Sequence, residues 1–181
     1  VLVVGCGTGL DLEWIPAGVE TTAGDLTPAM VERTRRRAER LGLRAEVRTL
    51  DAHRLELPDA AFDAVVLHLI LAVVPDPGAA IREVERVLRP GGRAVVFDKW
   101  APDDREPSLA RRLLNLVASP LATYVTRRLG PLVAATSLRV EHREPAGVGG
   151  FFSIALLRKL TPGAAGPPGG TPTSSPGPRP R

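Results

Sequence analysis

The chain of 181 residues contains little of what several classes of protein require. Its single cysteine excludes an internal disulfide framework and any zinc site built from several cysteines. No apolar run approaches the length that spans a bilayer, and the N-terminus lacks the charged-then-apolar layout of a secretory signal. We therefore expect a cytoplasmic protein that binds no metal.

Aromatic residues make up only 4% of the chain, and the net charge is +4 without a long basic run. Two of the positive charges, Arg179 and Arg181, belong to the C-terminal tail, so the rest of the chain is close to neutral. Nucleic-acid-binding proteins use basic grooves and aromatic platforms, and we expect no nucleic-acid partner here. With 44% hydrophobic residues, the chain is long enough to bury one sizeable core.

Short β-branched runs alternate with longer helical patterns, an order typical of βαβ units in a mostly parallel sheet. Thr27 and Asp76 each precede a proline, which predicts one helix from 28 to Gly42 and another from 77 to a break at 90–92. The sequence therefore predicts an α/β fold, a Rossmann-like open sheet with helices on both faces. The predicted parallel strands are 1–4, 20–24, 44–49, 64–69 and 94–97.

The pattern changes after the last of these strands. Residues 138–144 and 151–158 predict two further strands joined by the short loop 145–150, so the parallel sheet should end in an antiparallel hairpin. Residues 161–181 are mostly proline and glycine and cannot offset their ordering entropy, which predicts a disordered tail behind a folded domain over 1–160. Because Val1 already lies in an apolar strand-like run, we expect that an N-terminal helix or lid is missing.

The first chemical motif is the sequence Val-Gly-Cys-Gly-Thr-Gly at 4–9, between the first strand and a short helical stretch at 10–15. Glycines at these positions let the backbone turn sharply and approach a ligand, and the N-terminus of the following helix favours a negative group. The spacing departs from the dinucleotide fingerprint because position 10 is leucine. Taken alone, the turn also fits a purely structural role.

The second motif, Gly24-Asp25-Leu26, ends the next predicted strand. An acid at this place accepts both ribose hydroxyls in open α/β sheets that bind nucleosides at their strand ends. The alternative interpretation is a solvent-exposed aspartate that only caps a helix. A glycine turn followed by such an acid points to a nucleoside ligand.

In this order the motifs resemble those of class I S-adenosylmethionine-dependent methyltransferases, in the group that includes quinone-biosynthesis and phosphatidylethanolamine N-methyltransferases. The resemblance covers nearly all of residues 1–159. It implies S-adenosyl-L-methionine as the cofactor and a small-molecule or lipid-like methyl acceptor. Supporting stretches lie at 50–52, 57–59, 62–66, 73–77 and 86–92.

The resemblance also implies roles for single residues. The turn would face the methionine part of the cofactor, and Asp25 would hold its ribose. Leu26 would pack on the adenine, whereas His68 would line the methionine side. Family members usually carry an acid two residues before the first glycine, where this chain has Val3. The implied cofactor-binding residues are Gly5, Cys6, Gly7, Thr8, Gly9, Asp25, Leu26, Asp51, Ala52 and His68.

Methyl transfer from a sulfonium requires chiefly a nucleophile aligned behind the methyl group and the exclusion of water. A base is needed only for a protonated acceptor, so no catalytic residue is assigned, and His53, His68 and Asp98 are the candidates. Two rival hypotheses remain open: a truncated or degenerate methyltransferase-like domain without turnover, and a nicotinamide-dependent oxidoreductase.

Residues 99–130 stand between the last parallel strand and the hairpin, where they would roof the pocket. Within them, residues 109–129 carry apolar positions with arginines beside them, Arg127 among these. One interpretation is a cap helix packed on the core. The other is a basic amphipathic surface that touches an anionic membrane and admits a lipid-like acceptor.

Overall fold

The computed structural model describes residues 1–100, 127–147 and 152–161 of the chain. Within these residues, one sheet contains the strands β1 Leu2–Val4, β2 Thr21–Asp25, β3 Ala45–Thr49, β4 Phe62–His68, β5 Leu88–Asp98, β6 Leu138–Ala146 and β7 Phe152–Lys159. The helices are α1 Pro28–Leu41, α2 Pro77–Val87 and α3 Leu129–Ala134, with a short 3-10 helix over Leu10–Trp14.

The strand order across the sheet is β3-β2-β1-β4-β5-β7-β6. The first five strands in this order run parallel, and β7 pairs antiparallel with both β5 and β6. The predicted Rossmann-like sheet with a C-terminal antiparallel hairpin is confirmed. Val4 of β1 lies opposite Gly24 of β2 and Leu67 of β4, so the carboxyl ends of these three strands meet at one edge of the sheet.

Strand β1 is buried on both of its faces. Val3 belongs to a cluster with Val31 and Ala38 of α1, whereas Leu2 and Val4 belong to a larger cluster that includes α2. Side chains alternate across a strand, so these two clusters lie on opposite faces of the sheet. The prediction of helices on both faces is therefore confirmed.

Both predicted helix starts are confirmed, with different chemistry at each. Asp76 caps α2, because its carboxylate accepts a hydrogen bond from the Ala79 N–H at 2.9 Å. Thr27 stands at the same position of α1, but its side chain makes no capping hydrogen bond. Gly42 ends α1 in the left-handed conformation, with φ of 64°.

The predicted break of the second helix at 90–92 is wrong. Helix α2 ends at Val87. Strand β5 begins at the next residue and continues through Gly91 and Gly92 to Asp98. The backbone pairs with its neighbours at this point, since the Val87 carbonyl accepts from the Ala61 N–H at 2.9 Å. The Leu88 carbonyl accepts from the Lys159 ammonium at 2.8 Å. These partners lie far away in sequence, so no local pattern indicated the change.

The hairpin strand β6 also extends beyond its predicted end at 144, because Pro145 and Ala146 pair with Ser153 and Phe152. A proline fits there because β6 is an edge strand of the sheet. The predicted cap or membrane-contacting stretch at 109–129 lies mostly outside the described residues, as does most of the predicted tail at 161–181. In the part of the chain that the structure describes, no helix has both the length and the apolar character needed to cross a membrane.

We predict that Gly24→Ala lowers the free energy of unfolding by about 1–3 kcal/mol, because the new methyl group would overpack the strand end. A Cβ at this position would lie 2.3 Å from the Cδ1 atom of the buried Leu50. Urea unfolding measures the change. The matched control is Gly78→Ala in the first turn of α2, where the nearest atoms are ends of the Asp76 and Arg82 side chains. Equal stability of both variants would contradict the prediction.

Candidate active site

The glycine turn at 5–9 has the backbone conformation that its sequence predicts. Gly5, Gly7 and Gly9 have φ values of 70°, 53° and 77°, in the left-handed region that residues with a Cβ atom rarely adopt. Space is also limiting, since a Cβ on Gly5 would lie 2.7 Å from the Cδ1 atom of Ile70. The turn therefore presents bare backbone at the carboxyl end of β1.

Thr34 of α1 supports the turn from beneath. Its hydroxyl donates to the Gly7 carbonyl at 2.9 Å and accepts from the Cys6 thiol at 3.4 Å. The Cys6 side chain is buried, and burial raises the pKa of its thiol. Of the residues predicted for the turn, Cys6 therefore offers only its backbone to a ligand. Thr8 is half-buried beside it.

Asp25 joins the tips of β1 and β2. One carboxylate oxygen accepts from the Gly7 N–H at 3.0 Å, and the other accepts from the Thr27 N–H at 2.9 Å. An ionised carboxylate has about four acceptor positions, so these two bonds leave capacity on each oxygen. The predicted pair of features, a bare turn and a neighbouring acid, is thus in direct contact.

A cavity of about 280 Å³ opens beside this contact. Ligand pockets are usually about 300–1,000 Å³, so the cavity fits part of a nucleoside cofactor better than the whole. Leu26 is 65% exposed at the cavity, which is unusual for a leucine and leaves an apolar surface for a ring to cover. Of the predicted site residues, the cavity is lined by Gly5, Asp25, Leu26, Asp51 and Ala52.

His53 and Asp51 form part of the cavity wall. The Asp51 carboxylate accepts from the His53 N–H at 2.9 Å and lies 2.7 Å from the ring Nδ1. These two hydrogen bonds lower the pKa of Asp51. The other ring nitrogen of His53 accepts from the Asp76 N–H at 3.2 Å. With both ring nitrogens bonded, His53 connects the loop after β3 to the start of α2, and its candidacy as a base loses support.

Asp98, another candidate base, is buried with 1% exposure. Its carboxylate accepts from the Ala72 N–H at 2.9 Å and from the Lys99 N–H at 2.8 Å. Burial raises the pKa of Asp98. The residue lines neither of the two cavities at this edge and holds the loop after β4 in place.

His68 lies at a second cavity, which shares no lining residue with the first one. Its Nδ1 atom is 2.7 Å from a carboxylate oxygen of Asp11 in the 3-10 helix, and its ring packs edge-on against Phe97 at 4.8 Å between centroids. The cavity has a volume of about 360 Å³, and Trp14 lines it with 85% exposure. Asp11 is not among the predicted site residues, because 57 positions separate it from His68 in the sequence.

A charged pair holds the loop after β3, just beyond the part of this loop that lines the first cavity. Arg86 donates to the carbonyls of Leu55 and Leu57 at 2.6 and 2.7 Å, and Glu83 accepts from the Leu55 N–H at 2.7 Å. Arg86 and Glu83 also form an ion pair at 2.8 Å, which is the main reason that the pKa of Glu83 is lowered. The sequence offered no signal for this arrangement beyond two charges on a helix.

Arg127 was predicted to flank the apolar face of the stretch at 109–129. In the structure its guanidinium donates to the carbonyls of Leu71 and Val74, so it binds the loop after β4. Within the described ranges, no cluster of three histidine, cysteine or acidic residues could hold a metal ion.

Together, the parallel sheet, the bare turn and the bridging acid define an α/β domain with a nucleoside-type site at its strand ends. Residues 2–96 match the family described as methyltransferase domain, and the chain belongs to this family. It is 33% identical over 161 residues to a phosphatidylethanolamine N-methyltransferase of Cereibacter sphaeroides, covering 88% of this chain and 79% of the relative.

A second relative is the ubiquinone/menaquinone biosynthesis C-methyltransferase of Desulfotalea psychrophila, with 36% identity over 145 residues. That match covers 80% of this chain but only 55% of the longer relative. Among solved structures, a SAM-dependent methyltransferase of Methanosarcina mazei superposes with a TM-score of 0.71 at 21% identity, covering 88% of this chain and 91% of that one. The similarity to the Methanosarcina mazei structure shows that the two chains share a fold.

The predicted enzyme class is confirmed by these matches: the chain is a methyltransferase of the S-adenosylmethionine-dependent type. The resemblance to lipid and quinone methyltransferases is likewise confirmed. The predicted nicotinamide-dependent alternative has no support from them.

We predict that Glu83→Gln lowers the free energy of unfolding by about 1–2 kcal/mol at about pH 7, since a charge-assisted bond to Arg86 is lost. The pKa of Glu83 is lowered in the folded state, so its stabilisation is present above its ordinary value of 4.5 and disappears as the pH falls below it. Urea unfolding at about pH 7 and about pH 3.5 should show the difference between wild type and variant shrinking.

The control for this experiment is Glu39→Gln, a change of an exposed glutamate in α1. It should alter the unfolding free energy little at either pH. A Glu83→Gln difference that stays constant or grows toward low pH would contradict the assignment.

Proposed function

We propose that this domain transfers a methyl group from S-adenosylmethionine to a small-molecule or lipid acceptor by direct displacement. One observation carries the proposal: the Asp25 carboxylate, bonded to the Gly7 and Thr27 N–H groups, faces a cavity with acceptor capacity left over. Ribose hydroxyls are donors that such a carboxylate can accept.

In this proposal the two halves of the cofactor occupy different surroundings. The adenosine half lies in the cavity of about 280 Å³, with its ring against Leu26 and its edge near Asp51 and Ala52. The methionine half extends over the turn, where the absence of side chains from Gly5 and Gly7 permits close approach. Thr8 and Gly9 complete the turn on that side.

The sulfonium supplies an electrophilic methyl carbon, so the protein has to hold the acceptor atom in line and keep water away. The rigid parts of the site suit this work. The turn is fixed by Thr34 and Asp25, and the loop after β3, which contributes to the cavity wall, is fixed by Glu83 and Arg86. No acid or base inside the first cavity is required for the displacement itself.

A lipid amine is the acceptor that the similarities favour. The relative matched over most of both chains is named a phosphatidylethanolamine N-methyltransferase. A quinone-type carbon acceptor is the second candidate, because the other relative is named a ubiquinone/menaquinone biosynthesis C-methyltransferase. Incubation with radiolabelled S-adenosylmethionine and either phosphatidylethanolamine or a demethylated quinone, followed by lipid extraction, separates the two.

We predict that Asp25→Ala weakens binding of S-adenosylhomocysteine about 100-fold or more, because two bonds to a charged group are lost at about 1.5–3 kcal/mol each. Isothermal titration calorimetry measures the affinity. The control is Asp63→Ala, which removes an exposed aspartate bound to Arg89 at the opposite edge of the sheet. Unfolding curves must show that both variants are folded, since Asp25 also bonds the turn.

Unchanged affinity in Asp25→Ala would remove the ribose assignment. A wild-type chain that binds no S-adenosylhomocysteine would favour the second candidate function, a degenerate domain without turnover. One observation favours that candidate: Val3 is buried at the position where family members usually carry an acid.

We also propose peripheral membrane contact through residues 109–129, from the basic and apolar pattern of their sequence. The chain should float with vesicles that contain an anionic phospholipid and stay behind with neutral vesicles. Replacing Arg111 and Arg112 by glutamine should reduce flotation, whereas replacing Arg33 and Arg40 of α1 should not. Equal flotation with both kinds of vesicle would contradict the proposal.

A further inference from the structure

A second cavity has only His68 in common with the residues implied to bind the cofactor. We propose that this cavity binds the methyl acceptor as an amine with an apolar body, and that His68 receives the proton of its ammonium group. The inference rests on the proposed function and adds to it the place where the amine binds and the residue that activates it. The lining residues are Asp11, Trp14, Val66, Leu67, His68, Val95, Phe97 and Ile154.

The position of this cavity relative to the turn is fixed by the sheet and by the 3-10 helix. Leu67 pairs with Val4, so His68 stands at the level of Gly5 on the neighbouring strand. Asp11 follows the turn directly, two residues after Gly9. An acceptor held here would therefore lie against the part of the turn that the methionine half of the cofactor would cover.

The pairing of His68 with Asp11 determines which ring nitrogen can act. The carboxylate oxygen lies 2.7 Å from Nδ1, so in the neutral ring the proton is held on Nδ1 and the lone pair is on Nε2. Nε2 has no hydrogen-bond partner among residues 1–100, 127–147 and 152–161. The ring is 40% exposed at the cavity. This is the arrangement of a histidine ready to accept a proton, with Asp11 as its positioning residue.

The surroundings favour a cation with a hydrophobic body. Asp11 supplies the negative charge, and the exposed ring of Trp14 is a group that attracts ammonium ions. Phe97 stacks on Phe152 at 5.3 Å, and the Lys99 ammonium already lies 5.9 Å from the centre of the Phe152 ring. Apart from His68, the remaining lining side chains are aliphatic. An acyl chain or a similar apolar group has a surface to follow there.

The chemical step balances without any further reactant. The ammonium N–H bond breaks and its proton passes to Nε2 of His68, which leaves a lone pair on the amine nitrogen. That lone pair forms the new N–C bond as the S–C bond breaks, and the sulfur keeps the electron pair as a thioether. The products are a methylated ammonium, S-adenosylhomocysteine and a protonated His68, which returns its proton to water.

The experiment compares His68→Ala, Asp11→Asn and the control His142→Ala in the full chain. His142 is a suitable control because it also lies near a carboxylate, Glu144 at 3.4 Å, but on the edge strand β6. Methyl transfer is measured with phosphatidylethanolamine in mixed micelles, and S-adenosylhomocysteine affinity is measured by calorimetry. We expect kcat to fall about 100-fold or more in His68→Ala and by a smaller factor in Asp11→Asn. The S-adenosylhomocysteine affinity of each variant sets the cofactor concentration at which its kcat is measured, so that weaker cofactor binding is not counted as a loss of kcat.

Two further readouts separate a chemical role of His68 from a structural one. Added imidazole should restore a measurable part of kcat in His68→Ala and have no effect on the wild type. Trp14 reports occupancy, because it lines the cavity and is exposed. Its fluorescence should change with a short-chain phosphatidylethanolamine and not with the matching phosphatidylglycerol, and Trp14→Phe should lose the response.

The possible results lead to distinct conclusions. A wild-type chain that binds no S-adenosylhomocysteine contradicts the proposed function itself. If S-adenosylhomocysteine binds but phosphatidylethanolamine is not methylated, or if His68→Ala keeps the wild-type kcat, the inference about the amine and its base is overturned. A Trp14 that acrylamide cannot quench in the free chain also overturns it, because another segment would then cover the cavity.

Discussion

The whole site depends on one hydrogen-bonded contact, the carboxylate of Asp25 against the N–H of Gly7. This contact joins the end of β2 to the turn that leaves β1, and it orients the acid toward the first cavity. The turn adopts left-handed backbone at three places, a conformation with an energetic cost unless its surroundings hold it. Asp25 from one side and Thr34 from beneath supply that support, so the ligand-facing backbone is rigid before any ligand arrives.

Absence of side chains is used differently at the two neighbouring strand ends. In the turn, Gly5 and Gly7 keep the ligand side open through backbone conformation. At Gly24 the φ angle is ordinary, and the glycine instead makes room for Leu50, which closes the cavity from behind. Glycine thus exposes the backbone at the end of one strand and permits close packing at the end of the next. Both uses are needed for a cavity that is bounded by apolar side chains and open to polar backbone.

Local signals in the sequence were sufficient to predict the presence of the strands, the starts of α1 and α2, and the turn. The Thr27–Pro28 and Asp76–Pro77 pairs begin helices, and Gly42 ends one, because each acts through its own backbone geometry. Contacts between distant residues carried no such signal. Lys159 bonds the backbone where α2 changes to β5, and Arg86 bonds the loop after β3. These features arise only when the folded chain brings the partners together.

The two histidines at this edge of the sheet show why residue type alone could not rank the candidate bases. His53 and His68 each place Nδ1 at 2.7 Å from an aspartate oxygen. They differ at the second nitrogen, because the Asp76 N–H donates to Nε2 of His53 at 3.2 Å. A proton arriving at that nitrogen would break the link between the loop after β3 and α2. No such bond restrains Nε2 of His68 within the described residues, so protonation there breaks no structural contact. The geometry therefore favours His68 as the proton acceptor and His53 as the link between the loop after β3 and α2.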